Sequence, residues 1–129
     1  MVEKTEEISG QVPLDLPQKK KKEVVVFDVF EAIRQVEREL EPLLASWADQ
    51  DDFTSKIVNL WRTLQEICSR DEDAALAVGM IEREGKYSVK HPIDTAVICE
   101  VTLKNQDMAP DARCSVLSAS LTMNIAMTQ

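Results

Sequence analysis

Apolar residues recur at steps of three and four along the chain from about residue 23, which is the pattern of amphipathic α-helices. The first helix carries one apolar face: Val29, Phe30, Ile33, Val36, Leu40, Leu43, Leu44 and Trp47. Its other face is polar: Arg34, Glu37, Arg38, Glu39 and Glu41. Asp28 has the side chain of an N-cap. Pro42 cannot donate a backbone hydrogen bond to residue 38, so a kink or a break is expected there.

The second helix is predicted from about Asp52 to Cys68, with Asp51 or Asp52 as its cap. Its apolar stripe consists of Phe53, Ile57, Leu60, Trp61, Leu64 and Ile67. The spacing Ser69-Arg-Asp-Glu72 is that of a capping box, which predicts the start of a third helix. The body of this helix, from Ala74 to Ile81, is apolar nearly all round and is expected to be buried. Gly85 is its stop signal.

The fourth helix begins near Tyr87 or near Pro92, because the residue before a proline is biased away from helix. The fifth starts at Pro110, a favoured first-turn position. It continues through its apolar positions toward the terminus with no stop signal. The sequence therefore predicts an all-α bundle of about five helices.

Residues 1–22 are predicted to be a flexible tail, because Pro13 and Pro17 interrupt its few apolar residues and the basic run 19–22 follows. A short docked strand through Val12, Leu14 and Leu16 is the alternative. The remainder of the 129-residue chain, 23–129, suits one helical domain. Because the last helix lacks a stop signal, we expect this domain to be the N-terminal portion of a longer one.

The net charge of −8 disfavours nucleic acid and anionic lipid as partners. No stretch approaches the length of a membrane span, and the N-terminus lacks the apolar core of a signal peptide, so a cytoplasmic location is predicted. The cysteines, Cys68, Cys99 and Cys114, are odd in number and lie in apolar runs. They are expected to be reduced core residues.

Candidate chemistry is sparse. His91 is the only histidine, which excludes a histidine-rich metal site within the chain. The three glycines, none in a Gly-x-Gly context, exclude a phosphate-binding P-loop. The clustered carboxylates lie at helix starts, where they stabilise the positive end of the helix dipole.

Tyr87-Ser-Val-Lys-His91 follows an acidic helix start and an apolar helix, and the segment 71–97 resembles the upstream half of an HD-GYP domain. That family consists of metal-dependent phosphodiesterases that act on cyclic di-GMP in bacterial signalling. In this resemblance, which covers about residues 50–129, His91 matches a metal-ligating histidine. Met123 and Asn124 occupy the positions of the family's His-Asp dyad.

The resemblance implies an HD-domain-like bundle in which the helix of His91 packs against the helix that carries Met123 and Asn124. A thioether and a neutral amide replace an imidazole and a carboxylate, and they are poor ligands for iron, manganese or zinc. We therefore expect no catalytic residues, no metal and no cofactor.

The predicted function is that of a non-catalytic N-terminal part of a degenerate HD-GYP-like bacterial signalling protein, which acts by binding or by conformational relay. One alternative is a helical protein-interaction module. Another is a fragment of an active cyclic di-GMP phosphodiesterase whose ligands lie beyond residue 129.

Self-association is the predicted partnership, with other signalling proteins as further candidates and with no nucleic acid or membrane. If the fifth helix is cut short, its apolar residues face water: Leu117, Leu121, Ile125 and Met127. Pairing them across a two-fold axis would give a homodimer. In the alternative, residues 8–17 fold back over this face and leave a monomer.

Overall fold

The computed structural model describes Gly10 and residues 26–128. These residues form five α-helices and no strand, which confirms the all-α prediction. The helices are α1 (Val29–Ala45), α2 (Phe53–Arg70), α3 (Glu72–Val78), α4 (Tyr87–Asn105) and α5 (Pro110–Thr122). Short 3₁₀ helices follow α1 at Trp47–Asp49 and α5 at Ile125–Met127. Apart from Gly10, the tail predicted at 1–22 lies outside the described residues.

Helix α1 begins as predicted, because the Asp28 carboxylate accepts a hydrogen bond from the Glu31 backbone N–H at 3.0 Å. It continues through Pro42 to Ala45, so the break expected there does not occur. Two residues assigned to its apolar face were wrongly placed. Phe30 is 41 % exposed, and Trp47 lies beyond the helix and is also exposed.

The predicted capping box is wrong. Ser69 lies inside α2, where its hydroxyl donates to the Glu66 carbonyl at 2.7 Å. The cap of α3 is Asp71, which accepts a hydrogen bond from the Ala74 N–H at 2.9 Å. Helix α3 also ends at Val78 rather than at Ile81, so this helix is only seven residues long. With the chain turning away from the core, Ile81 remains 52 % exposed.

Helix α4 begins at Tyr87, the earlier of the two predicted starts, and contains Pro92. It contacts each of the other four helices. Its buried positions are correspondingly apolar for the most part: Val89, Pro92, Ile93, Ala96, Val97, Glu100 and Val101. Helix α2 likewise contacts the other four, so α2 and α4 together form the centre of the bundle, and the buried apolar residues share one core.

Helix α5 begins at Pro110 as predicted but ends at Thr122, so the prediction of an unterminated helix is wrong. Leu117 and Leu121 are fully buried, because α5 packs on α4 and α2. They are not the exposed residues that the homodimer prediction required. Of the four proposed contacts, Met127 is 63 % exposed and Ile125 is half-buried against the core.

Candidate functional site

His91 lies in the second turn of α4, near the N-terminal end of that helix. Its ring is exposed to solvent and stacks on the ring of Tyr87, with 4.9 Å between the ring centroids and 10° between the planes. The pair results from the helix itself, because side chains four residues apart lie on the same face. The matched tyrosine and histidine are thus neighbours, on a surface rather than in a cavity.

Met123 and Asn124 lie just past the end of α5 rather than on its body. Met123 is the C-cap residue and is 43 % exposed, and Asn124 leads into the short 3₁₀ helix. The Asn124 amide nitrogen is buried without a hydrogen-bond partner among the described residues. Helix α5 packs against α4, as expected, but no hydrogen bond in this part of the chain joins either residue to His91.

These residues do not fit a dinuclear metal centre of the kind that HD-GYP proteins use. Within residues 26–128, no group of three or more His, Cys, Asp or Glu side chains is placed to hold a metal ion. The potential donors at the matched positions are one imidazole, one soft thioether and one neutral amide. A catalytic metal, by comparison, takes about three strong protein ligands.

A buried ion network, by contrast, joins α1 to α4. Arg83, in the segment between α3 and α4, donates from Nε to Glu37 Oε1 at 2.6 Å and from Nη2 to Asp94 Oδ1 at 2.5 Å. Only 4 % of the Arg83 side chain is exposed, against 8 % for Glu37 and 26 % for Asp94. Arg34 adds a second cation to Glu37, at 3.0 Å.

The electrostatics of this network favour the charged form of the arginine. Burial lowers the pKa of Arg83, but hydrogen bonds to Asp94 and Glu37 outweigh it and raise the pKa above the ordinary value. The guanidinium also donates to the Val78 carbonyl at 3.1 Å. Arg83 therefore holds the segment between α3 and α4 in place through hydrogen bonds to residues of α1, α3 and α4.

A second buried pair lies where α4 meets α5. Glu100 Oε1 is 3.2 Å from Arg113 Nη1, and the two residues are 1 % and 8 % exposed. Two further atoms of the pair, Glu100 Oε2 and Arg113 Nε, are buried without a hydrogen-bond partner. Burial, followed by the nearby charge of Glu100, raises the pKa of the Cys68 thiol to about 12. Cys68 is thus a neutral core residue, and Cys99 and Cys114 are also free thiols, half-buried.

Neither buried pair was predicted, although the sequence contains a signal for both. Glu37 was assigned to the polar face of the first helix, yet it follows Ile33 by four residues and precedes Leu40 by three, which places it on the buried stripe. Glu100 likewise continues the stripe of Ile93 and Val97. A charged residue at a stripe position predicts a buried partner, because an unpaired charge is rarely buried. No comparable local signal marks Arg83.

Within the described residues, no helix has both the length and the apolar character needed to cross a membrane. Comparison of the chain with protein-family models, with curated proteins and with solved structures gives no match.

Proposed function

We propose that this chain is a non-catalytic, degenerate HD-GYP-like part of a bacterial signalling protein, which acts in the cytoplasm by binding or by conformational relay rather than by hydrolysis. The proposal rests on which residues stand at the matched positions and where the structure places them. His91 is exposed and stacked on Tyr87, and the dyad positions hold Met123 and Asn124 at the end of α5. The described residues form a helical bundle, as the resemblance implies, but the matched positions lack the family's ligand set.

Metal and substrate assays on the purified chain test this proposal. We expect no stoichiometric binding of Mn²⁺, Fe²⁺ or Zn²⁺ and no hydrolysis of cyclic di-GMP in their presence. About one metal per chain, lost in His91→Ala together with hydrolysis, would instead establish the alternative of an active phosphodiesterase fragment. Ser88→Ala, on the same turn of α4, is the control for nonspecific effects of substitution there.

Restoring the dyad tests the resemblance itself. In the double variant Met123→His and Asn124→Asp, the matched positions carry two imidazoles and a carboxylate, which is the minimum for a transition-metal site. If the scaffold is HD-GYP-like, this variant gains metal affinity, and adding His91→Ala abolishes the gain. An unchanged affinity would contradict the assignment of these positions.

A second candidate function, a helical protein-interaction module, is favoured by an apolar groove of about 490 Å³ between the start of α1 and α3. Val26, Phe27, Phe30 and Ile81 line it and are between 38 and 78 % exposed. The lining contains two carboxylates and no Lys or Arg side chain, although the Arg70 guanidinium lies over the Phe27 ring, 4.4 Å from its centroid. An amphipathic helix with a basic flank is the complementary partner.

A synthetic helical peptide of leucine and lysine is a suitable probe for this groove. We expect saturable binding that Ile81→Asp abolishes. Ile98→Asp, a change of the same kind at an exposed position of α4, is the control and leaves binding intact. If both variants bind the peptide equally, nonspecific electrostatic attraction holds it and the second candidate function is wrong.

A further inference from the structure

Helices α2, α4 and α5 surround a cleft of about 370 Å³ in which every lining side chain is polar or charged. Helix α2 contributes four residues between Arg62 and Ser69, α4 contributes Glu100 and Lys104, and α5 contributes Arg113. The volume is within the range of small-molecule sites. None of these residues is one that the resemblance matches to a metal ligand, so a ligand site here goes beyond the proposed function.

The cleft has the opposite charge balance to the whole chain. Its lining contains three cations and two carboxylates, whereas the chain has a net charge of −8. One of the carboxylates, Glu66, is held by Arg70 at 2.8 Å, and Arg70 is not part of the lining. Arg113 pairs with Glu100 and Lys104 lies 3.8 Å from Glu72, whereas Arg62 forms no ion pair among residues 26–128. An anionic group is therefore attracted to this position on an otherwise acidic protein.

The buried pair at this cleft has unused hydrogen-bonding capacity. Arg113 and Glu100 share one contact, at 3.2 Å, while Arg113 Nε and Glu100 Oε2 have no partner. Arginine and carboxylate usually form two parallel hydrogen bonds, and a buried donor or acceptor without a partner is destabilising. These two atoms are closed to solvent, but 10 % of the Arg113 side chain remains exposed, so an anionic group in the cleft can accept from the exposed part of the guanidinium.

The dimensions indicate an elongated ligand. The stripe of α2 from Arg62 to Ser69 covers seven residue steps, or about 10 Å at the helical rise. Lys104 lies at the Ser69 end, because its Nζ is 3.8 Å from Glu72 at the start of α3. Arg62 and Lys104 thus lie toward opposite ends of the cleft, with the side chains of Gln65 and Glu66 between them.

We propose that this cleft binds a small phosphorylated sugar. The phosphoryl group is held by Arg113 together with Arg62 or Lys104, and the sugar hydroxyls donate to the carboxylate of Glu66, whose side chain is 64 % exposed. A bare anion satisfies only half of this lining, because the two carboxylates repel it. A neutral sugar leaves the cations without a partner.

The test is a titration of the full ¹⁵N-labelled chain with ribose 5-phosphate, followed by NMR at constant ionic strength. Saturable shifts are expected for amides of 62–69, 100–104 and 113. Ribose alone should give none, and inorganic phosphate should bind more weakly at the same amides. Equal shifts with phosphate and with ribose 5-phosphate, or no saturable shift up to about 10 mM ligand, would overturn the proposal.

Variants at the rim decide which residues act. Arg62→Gln and Lys104→Gln each remove one charge-assisted hydrogen bond, and at least one of them should weaken binding about tenfold. Arg38→Gln, an exposed arginine on α1 outside the cleft, is the matched control and should have no effect. Arg113 is kept, because its loss would leave the Glu100 charge buried and unpaired. If neither rim variant weakens binding, or all three weaken it equally, the assignment fails.

Discussion

Replacing Arg83 with methionine should destabilise the fold more than any other single charge removal in the segment between α3 and α4. Methionine keeps most of the side-chain volume but removes the guanidinium. Glu37, with 8 % of its side chain exposed, then loses the 2.6 Å contact that balances its charge, and Asp94 loses one at 2.5 Å. The Val78 carbonyl loses its donor as well.

The expected loss follows from the burial of the carboxylate left behind. Breaking a buried ion pair by removing one partner costs about 3 to 5 kcal/mol, because the remaining charge stays desolvated. For a domain of roughly 100 residues this corresponds to a fall in melting temperature of roughly 15 °C or more. Arg34 remains near Glu37 at 3.0 Å and is partly exposed, which favours the lower half of the range.

Urea denaturation, followed by the fluorescence of the buried Trp61 and by circular dichroism, measures the free energy of unfolding. Lys86→Met is the matched control. Lys86 also joins this segment to α1, through Glu41 at 2.7 Å, but its side chain is 71 % exposed. Such a pair is worth less than about 1 kcal/mol.

Adding Glu37→Leu to the Arg83 variant removes the stranded charge and should recover part of the loss. A destabilisation below about 1 kcal/mol for Arg83→Met, or one equal to that of Lys86→Met, would show that Arg83 does not balance a desolvated charge.

Three further predictions concern other parts of the molecule. The Cys68 thiol keeps its proton up to a pKa of about 12 when folded but releases it near 9.0 when unfolded, so stability should fall as the pH rises above 9, by about 1.4 kcal/mol per pH unit. Urea titrations under reducing conditions should show a shallower fall for Cys68→Ala, and identical slopes would contradict the assignment. Gly85 has φ +120, so Gly85→Ala should cost at least about 1 kcal/mol. Gly79 has φ −64 and room for a methyl group, so Gly79→Ala should stabilise the fold by about 0.5 kcal/mol. Thermal melts in which Gly85→Ala and Gly79→Ala shift the melting temperature in the same direction would contradict these two predictions. Leu121→Asp should unfold the chain, because Leu121 is fully buried, whereas Met127→Asp should leave the circular dichroism spectrum unchanged. A folded, monomeric Leu121→Asp variant would instead support the predicted homodimer interface on the fifth helix.

Local patterns were enough to predict the helical class, the cap at Asp28 and the start at Pro110. They failed at the junction of α2 and α3, where Ser69 and Asp71 are both capable N-caps two residues apart. The choice depends on how far α2 continues its packing, and Ile67 and Cys68 are buried in the last turns of that helix. Ser69 is consequently retained in α2, and Asp71 becomes the cap.

The partners of Arg83 show what sequence patterns cannot provide. It pairs with Glu37, which is 46 positions away, and with Asp94, which is 11 positions away. Because it lies between Glu82 and Glu84, the sequence indicates a charged, solvent-exposed turn. Arg83 is buried only because α1 and α4 approach each other in the folded chain, and no local pattern predicts that approach. For the site at His91, the sequence predicted the poor ligand set but not the end of α5 at Thr122, which places Met123 and Asn124 beyond the helix.

The two loops that flank α4 differ in how far they would accept inserted sequence. Carbonyls of the loop before α4 accept hydrogen bonds from side chains of two helices. The Glu84 carbonyl accepts from Arg34 of α1 at 2.6 Å, and the Arg83 carbonyl accepts from Lys90 of α4 at 2.7 Å. In the loop after α4, the backbone N–H groups of 106–108 bond only to the last turn of the same helix. Insertion of a fluorescent reporter domain, or new termini made by circular permutation, therefore belongs between Asp107 and Ala109 rather than between Gly79 and Lys86.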